Sequence, residues 1–248
     1  MISLVVATLG CCIASFLVCG IPFGLLIARG SEGHVDVRKV GSGNIGMTNV
    51  ARSVGARAAL LTFLCDAGKG VLCTVVARLV IAVVAFGGDA SMVAPVTPFG
   101  LASTLVYASC VLGHVFSPYL HFHGGKGISV GFGAGLGMYW PVGVGLLVVF
   151  LLFAVPSRYV SLGSVCAAAS LPVICLALGF GPLNTLPMAI VAVVVIWSHR
   201  QNIRKPATRS AGSPSARGAR GDGHPAGRSH RDGLLGHRCL GSSRQELR

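Results

Sequence analysis

Long apolar runs along the chain are separated by short polar interruptions. Residues 1–28 contain no charged side chain and close at Arg29. The run exceeds the roughly 20 apolar residues that a transmembrane helix needs. It lacks the basic start of a secretory signal, so it predicts a first membrane helix. Residues 30–57 are Gly-rich, polar and basic, too hydrophilic to span, and predict a loop. Apolar character returns over 58–86, interrupted by Asp66, Lys69 and Arg78. Residues 87–98 carry Asp89 and no Lys or Arg. A further apolar run over 99–118 leads to the polar, basic HFHGGKG at 121–127. Residues 127–157 hold no charge and close at Arg158. The next stretch, 159–198, is equally free of charge and is broken near its middle by GFGPLNTLP at 179–187. His199, Arg200, Arg204 and Lys205 follow.

Basic residues collect in cytoplasmic loops. The clusters at 29–57, 123–126, 158 and 199–205 therefore belong on one side, and each apolar segment between them crosses an even number of times. Segments 58–122 and 159–198 hold two spans each. Segment 127–157 is tight for two full helices, and Pro141 with Gly131, Gly133, Gly135 and Gly137 predicts two short or broken ones. The pattern gives an all-α polytopic membrane protein of about seven transmembrane helices, N-terminus outside and C-terminus cytoplasmic. Five spans with a re-entrant 127–157 is the alternative.

Composition agrees. Hydrophobic residues make up 53% and charged residues 11%, with a mean hydropathy of +0.75. An ordinary soluble domain carries roughly a quarter charged residues. Residues 1–204 hold 11 Lys and Arg against 4 Asp and Glu, net +7. Residues 205–248 hold 9 against 3, net +6. The chain therefore divides into a membrane domain, 1–204, and an Arg/Gly/Ser/Pro-rich tail, 205–248, whose composition is that of disordered segments. No nucleic-acid motif accompanies the positive charge, which points to anionic headgroups and membrane lipids instead. Nine scattered cysteines form no CxxC. They read as small packing residues rather than disulfides or metal ligands.

Four polar clusters carry candidate chemistry, all on the side assigned to the cytoplasm. The first is GSGNIGMTNVAR, 41–52. Gly41, Gly43 and Gly46 allow tight turns that aim backbone N–H groups at an anion. Ser42, Asn44, Thr48 and Asn49 add side-chain donors, and Arg52 adds a forked cation suited to phosphate. The second is Gly124–Gly127 with Lys126 at its centre. It is not a Walker A loop, because no Ser or Thr follows Lys126 and no Gly stands at 120. The third is SRYVSLGS, 157–164. In the fourth, HRQNI, His199 and Asn202 are three residues apart and share a helix face. Asp66 and Lys69 have the same spacing inside an apolar run and read as a structural ion pair. His114 and Arg78 read as solitary structural groups. There is no Ser/His/Asp arrangement, no HEXXH, no HxxxxD and no acidic cluster for Mg²⁺. No metal or cofactor is implied.

These motifs, together with IPFGLLIAR (21–29), VDVRKVGSGNIG (35–46) and GHVFSPYLHFHGGKG (113–127), make the chain resemble the bacterial membrane family of acyl-phosphate-dependent glycerol-3-phosphate acyltransferases. The resemblance runs in order from about residue 4 to 204. It implies transfer of a fatty acyl group from acyl phosphate to the 1-hydroxyl of glycerol 3-phosphate, giving lysophosphatidic acid and inorganic phosphate. It implies a plasma (inner) membrane location with the site facing the cytoplasm, and no obligate protein partner. Carried over by position, Ser42 with Gly41 and the backbone of Gly43, Asn44 and Gly46 cradles acyl phosphate, and Thr48 and Asn49 complete that turn. Arg52, Lys126 between Gly125 and Gly127, Ser164, His199 and Asn202 hold glycerol 3-phosphate. A substrate phosphate takes the hydroxyl proton; His199 as the base is the second reading. Met47 departs from the family's usual Ala, His123 from a long basic residue, and the tail from a short basic end with a Glu. An organic-phosphate transporter and an inactive relative are the competing functional readings.

Overall fold

The computed structural model describes residues 1–200, and among them the secondary structure is helical throughout. Nine α-helices follow in order: α1 (Ile2–Gly20), α2 (Phe23–Arg29), α3 (Met47–Ser53), α4 (Ala56–Phe86), α5 (Leu101–Val115), α6 (Ile128–Met138), α7 (Trp140–Ser157), α8 (Val160–Ala177) and α9 (Pro182–Ser198). Two 3₁₀ turns, Ala90–Val93 and Pro118–Leu120, complete the set. The tail 205–248 and Asn202 lie outside the described residues.

Five segments are long and apolar enough to cross a membrane: 2–29, 56–86, 101–120, 140–157 and 160–177. Helices α6 and α9 are shorter apolar helices. At 1.5 Å per residue α6 rises about 16 Å, half of a hydrocarbon core, and α9 about 26 Å. The helices turn an inverted surface outward. On α4, Leu60, Leu64, Leu72, Leu79 and Val83 are exposed, whereas Thr62, Asp66, Lys69 and Thr74 are buried. In water that arrangement would be unstable. In lipid it is expected, because polar groups must find partners inside the bundle.

Side-chain contacts fix the helix directions. Cys19 meets Lys69 and Cys73, while Cys11 meets Ala77, so α1 and α4 run antiparallel. The Asn184 amide donates to the carbonyls of Pro95 and Thr97, 2.9 Å each, closing the end of the bundle opposite Arg29. Followed along the chain, residues 29–57, 121–127, 158 and 199 all fall at one end. The α6–α7 hairpin leaves that end and returns to it, whether or not α6 is counted as a crossing.

Three local features differ from the sequence reading. The first apolar run is not one helix. It breaks at Ile21–Pro22, where proline has no N–H to donate and crowds the preceding turn. The loop 30–57 contains α3, held by a small apolar cluster of Leu25, Ala28, Val37, Ile45, Val50, Ala59 and Leu120. The break in 127–157 is real but comes at Tyr139, ahead of Pro141 in the first turn of α7. The glycines before it stay helical. A Cβ on Gly133 would collide with the Ala67 carbonyl, and one on Gly70 would lie 2.6 Å from the Val130 carbonyl. These glycines let α4 and α6 approach closely, the usual role of small residues between membrane helices.

The eight cysteines among the described residues are all free thiols. Three of them are not scattered. The sulfurs of Cys19, Cys73 and Cys110 lie within 4.8 Å of one another, buried between α1, α4 and α5.

Candidate functional site

The 41–52 segment is shaped by one side chain. Asn49 is 1% exposed. Its Oδ1 accepts from the Ser42 N–H at 2.9 Å, and its Nδ2 donates to the carbonyls of Val37, Asn44 and Val40 at 2.8, 2.9 and 3.1 Å. Gly41, with φ +60°, passes so close that a Cβ there would strike Asn49 Oδ1. Asn44 Oδ1 in turn accepts the Gly46 N–H at 2.8 Å.

This network ties several of the expected donors to the loop itself. Asn49 faces inward and holds the loop, its donors taken by carbonyls, so it has none to offer a ligand. The N–H groups of Ser42, Gly43 and Gly46 also have internal acceptors, the last two in Val40 O and Asn44 Oδ1. Among the described residues the N–H groups of Asn44 and Ile45 have none, nor do the hydroxyls of Ser42 and Thr48. Ser42 is exposed and Thr48 half-buried.

Three arginines of the loop differ in their partners. Asp36 binds Arg29 at 2.9 Å and Arg38 at 2.7 Å. Hydrogen bonds from Arg38 and Arg29 hold its carboxyl well below the usual carboxylate range. Those two guanidinium groups therefore share one carboxylate, and the trio keeps a net charge of +1. Arg52, exposed in the last turn of α3, makes no ion pair among the described residues.

The second cluster is laid down on the end of α5. Phe122 N–H donates to Ser117 O at 2.8 Å, Gly124 N–H to Val115 O at 2.9 Å and Gly125 N–H to His114 O at 3.0 Å. His121 and Phe122 both have positive φ, 50° and 61°, an uncommon conformation for non-glycine residues that the folded-back chain enforces. Gly127, with φ +81°, starts α6. Lys126 is left half-buried and, among the described residues, makes no ion pair with a carboxylate. Burial and the nearby charge of Arg52 lower its pKa to about 8.

His199 caps α9 and is 2% exposed. Its Nδ1 lies 2.8 Å from the Val195 carbonyl oxygen. A carbonyl can only accept, so Nδ1 carries the proton and the neutral ring presents Nε2 as an acceptor. Burial lowers the His199 pKa, the Val195 carbonyl opposes that, and the Lys126 charge adds to the lowering. Ser164 is buried near the start of α8, its hydroxyl donating to Val160 O at 2.9 Å. Helices α8 and α9 form an antiparallel hairpin, which puts the first turns of α8 and His199 at the same end of the bundle.

His114 is not solitary, as the sequence reading had it. It lies 3.2 Å from the Lys69 ammonium, which pairs with Asp66 at 2.8 Å. The pair was legible from its spacing; its third member, 45 residues away, was not.

Lys126 thus lies within electrostatic reach of both Arg52 and His199, and the loop that carries Ser42 lies at the same end of the bundle. Such a site can hold one or more phosphate groups. Comparison with known proteins gives it a chemical context. A family model described as glycerol-3-phosphate acyltransferase matches residues 9–208. A glycerol-3-phosphate acyltransferase of Geobacter sulfurreducens is 40% identical over 191 residues, covering 77% of this chain and 89% of the relative. One of Cereibacter sphaeroides is 38% identical over 193 residues, covering 78% and 83%. A crystal structure of PlsY, an integral membrane glycerol 3-phosphate acyltransferase in its glycerol 3-phosphate form, superposes with a TM-score of 0.67. It is 31% identical, over 79% of this chain and 90% of that one. The lysophosphatidic acid form gives 0.63 at 29% identity.

Proposed function

Because the chain belongs to the glycerol-3-phosphate acyltransferase family, we propose that its polar end moves an acyl group from acyl phosphate to the 1-hydroxyl of glycerol 3-phosphate. The chain is a multi-pass membrane enzyme of phospholipid synthesis that acylates glycerol 3-phosphate. The observation that carries the assignment of the site is the pairing of Arg52 with Lys126. These are two neighbouring cations that, among the described residues, make no ion pair with a carboxylate, and a dianion bound between them would relieve the mutual repulsion.

In this reading Arg52 and Lys126 hold the phosphate of glycerol 3-phosphate, with Ser164 and Asn202 as further contacts. The Ser42 hydroxyl and the open N–H groups at Asn44 and Ile45 face the acyl phosphate, and Thr48 lines the same turn. Gly41, Gly43 and Gly46 shape that loop; Gly125 and Gly127 shape the bed of Lys126. Acyl phosphate is a mixed anhydride and needs no enzyme nucleophile. The 1-hydroxyl oxygen attacks the acyl carbon, the acyl–phosphate bond breaks, and the hydroxyl proton passes by way of His199 Nε2 to the leaving inorganic phosphate. The site contributes proximity and charge stabilisation. The His199 tautomer favours the second reading of the proton path. A neutral ring offering Nε2 accepts from the 1-hydroxyl and does not donate to phosphate. Seven crossings, an outside N-terminus and a cytoplasmic site in the bacterial inner membrane complete the proposal, supported by the shared end of the four polar clusters.

The function is tested with the purified chain in lipid, glycerol 3-phosphate, and either palmitoyl phosphate or palmitoyl-CoA. Turnover with acyl phosphate alone is expected. Turnover only with the thioester overturns the donor assignment, and silence with both points to an inactive relative. Counterflow of glycerol 3-phosphate without any donor would revive the transporter.

The lowered Lys126 pKa sets the alkaline limb of activity. Lys126 is charged below about 8, and the substrate phosphate is a dianion above about 6. The kcat/KM for glycerol 3-phosphate is expected to peak between these values and fall about tenfold per unit above pH 8. Lys126→Arg should lift that alkaline limb out of range. A limb that stays in place in this variant would belong to another group.

A further inference from the structure

Beneath the Lys126 loop lies a layer of charge that the chemistry above does not use. Asp66 and Lys69 have side chains 2% and 4% exposed, at depth in a helix that otherwise turns leucine and valine to lipid. The Lys69 ammonium donates to the Ile21 carbonyl at 2.7 Å and to His114 Nδ1 at 3.2 Å, and its charge is balanced by Asp66 Oδ1 at 2.8 Å. An ammonium has only donors, so His114 Nδ1 is the acceptor and the ring proton sits on Nε2. That nitrogen abuts Gly125, where a Cβ would collide with it. The same residue's main-chain carbonyl accepts from Gly125 N–H. His114 therefore holds Gly125 through both its ring and its backbone, one residue before Lys126.

The other arm of the layer reaches the first loop. Ile21 is the break between α1 and α2, and its neighbour Gly20 accepts from the Ser117 hydroxyl at 2.6 Å. Phe23, the first residue of α2, lies with its ring centroid 5.4 Å from Lys69 Nζ. Lys69 thus joins the hinge that leads to α2 with the bed of the GGKG turn. Packing alone does not require charge here, since apolar residues of similar volume fill such a layer without desolvating two ions. A directed network does require it, because only donors and acceptors fix the ring orientation of His114.

We infer that Asp66, Lys69 and His114 are positioning residues that set the GGKG turn, and through it the Lys126 ammonium, for the phosphate of glycerol 3-phosphate. The inference rests on Lys126 binding that phosphate. Resting charge at this depth then has a purpose beyond stability: it keeps a half-buried lysine aimed.

The test uses the full chain in lipid and reads KM for glycerol 3-phosphate, KM for palmitoyl phosphate, kcat and thermal melting. In the double variant Asp66→Asn/Lys69→Met both charges are gone, so no unpaired ion is left in the bilayer. His114→Asn keeps an acceptor for Lys69 and withdraws the group that abuts Gly125. Both variants are expected to raise the glycerol 3-phosphate KM at least tenfold, with the palmitoyl phosphate KM within twofold of wild type. In a Lys126→Ala background neither should raise it further. If the double variant does not fold, His114→Asn carries the test. An unchanged glycerol 3-phosphate KM in His114→Asn, or a lowered melting temperature with both KM values unmoved, overturns the positioning role while leaving the function intact. A Lys126→Ala variant with unchanged glycerol 3-phosphate KM overturns the reading of Lys126 itself, and the inference with it.

Discussion

Replacement of Arg52 by alanine is expected to lower kcat/KM for glycerol 3-phosphate by about a thousandfold, on the order of 4 kcal/mol of transition-state stabilisation. The size is that of removing a forked cation from beside a charge developing on phosphate. Arg29 and Arg38, the nearby guanidinium groups of the same loop, are tied to Asp36 at 2.9 and 2.7 Å. Lys126 is the cation that shares the site with Arg52, and its pKa, lowered to about 8, leaves it partly neutral once the pH passes that value. Arg52→Lys restores the charge without the planar fork, so recovery to within about tenfold of wild type is expected. Arg52 is exposed and outside both apolar clusters, so the variant should insert and melt normally. Initial rates at varied glycerol 3-phosphate, together with a thermal melt, check the claim. A wild-type rate in Arg52→Ala would remove this residue from the site.

Much of the architecture was legible because hydropathy is additive along the chain. An uncharged run such as 127–157 has few other physical solutions, and charged runs such as 29–57 mark the ends. What the sequence hid are contacts between residues far apart along it. His114 looked solitary because its partner Lys69 is 45 residues away. Asn49 looked like a ligand donor because its three carbonyl acceptors lie in a segment with no regular pattern. The glycines of α6 looked like breakers because the intrinsic penalty for glycine in a helix says nothing about close approach to Ala67 and Val71 on α4. The division of the arginines was equally invisible. Arg29, Arg38 and Arg52 are the same residue type in one loop, and only Asp36 distinguishes them. Candidate site residues were therefore easier to collect than to sort. Ser42, Arg52, Lys126 and His199 come to one end of the bundle, while Asn49 and Gly125 turn out to hold the loops on which others sit.

Gly24 is a residue that no cluster of polar side chains would reveal. It lies in α2, buried, where a Cβ would collide with the Ile45 carbonyl oxygen and lie 3.0 Å from Thr62 Cγ2 of α4. Ile45 is the centre of the GSGNIG turn, and its side chain, 2% exposed, anchors the turn in the small apolar cluster with Leu25 and Val50. Gly24→Ala must therefore push the turn off α2, because helix α4 blocks the alternative. Overpacking of this kind costs about 1–3 kcal/mol, so a lower melting temperature is expected. The larger effect should fall on the reaction. The N–H groups of Asn44 and Ile45 and the Ser42 hydroxyl move with the displaced turn, and about an ångström of misplacement is worth on the order of a hundredfold in rate. Gly30→Ala is the matched control: it stands at the end of the same helix, where the nearest atom to a Cβ is the Leu26 carbonyl at 3.4 Å, and should be silent in both assays. Full activity in Gly24→Ala would mean that the turn need not rest on α2 to hold its phosphate. A loss confined to the melting temperature would assign the contact to stability alone.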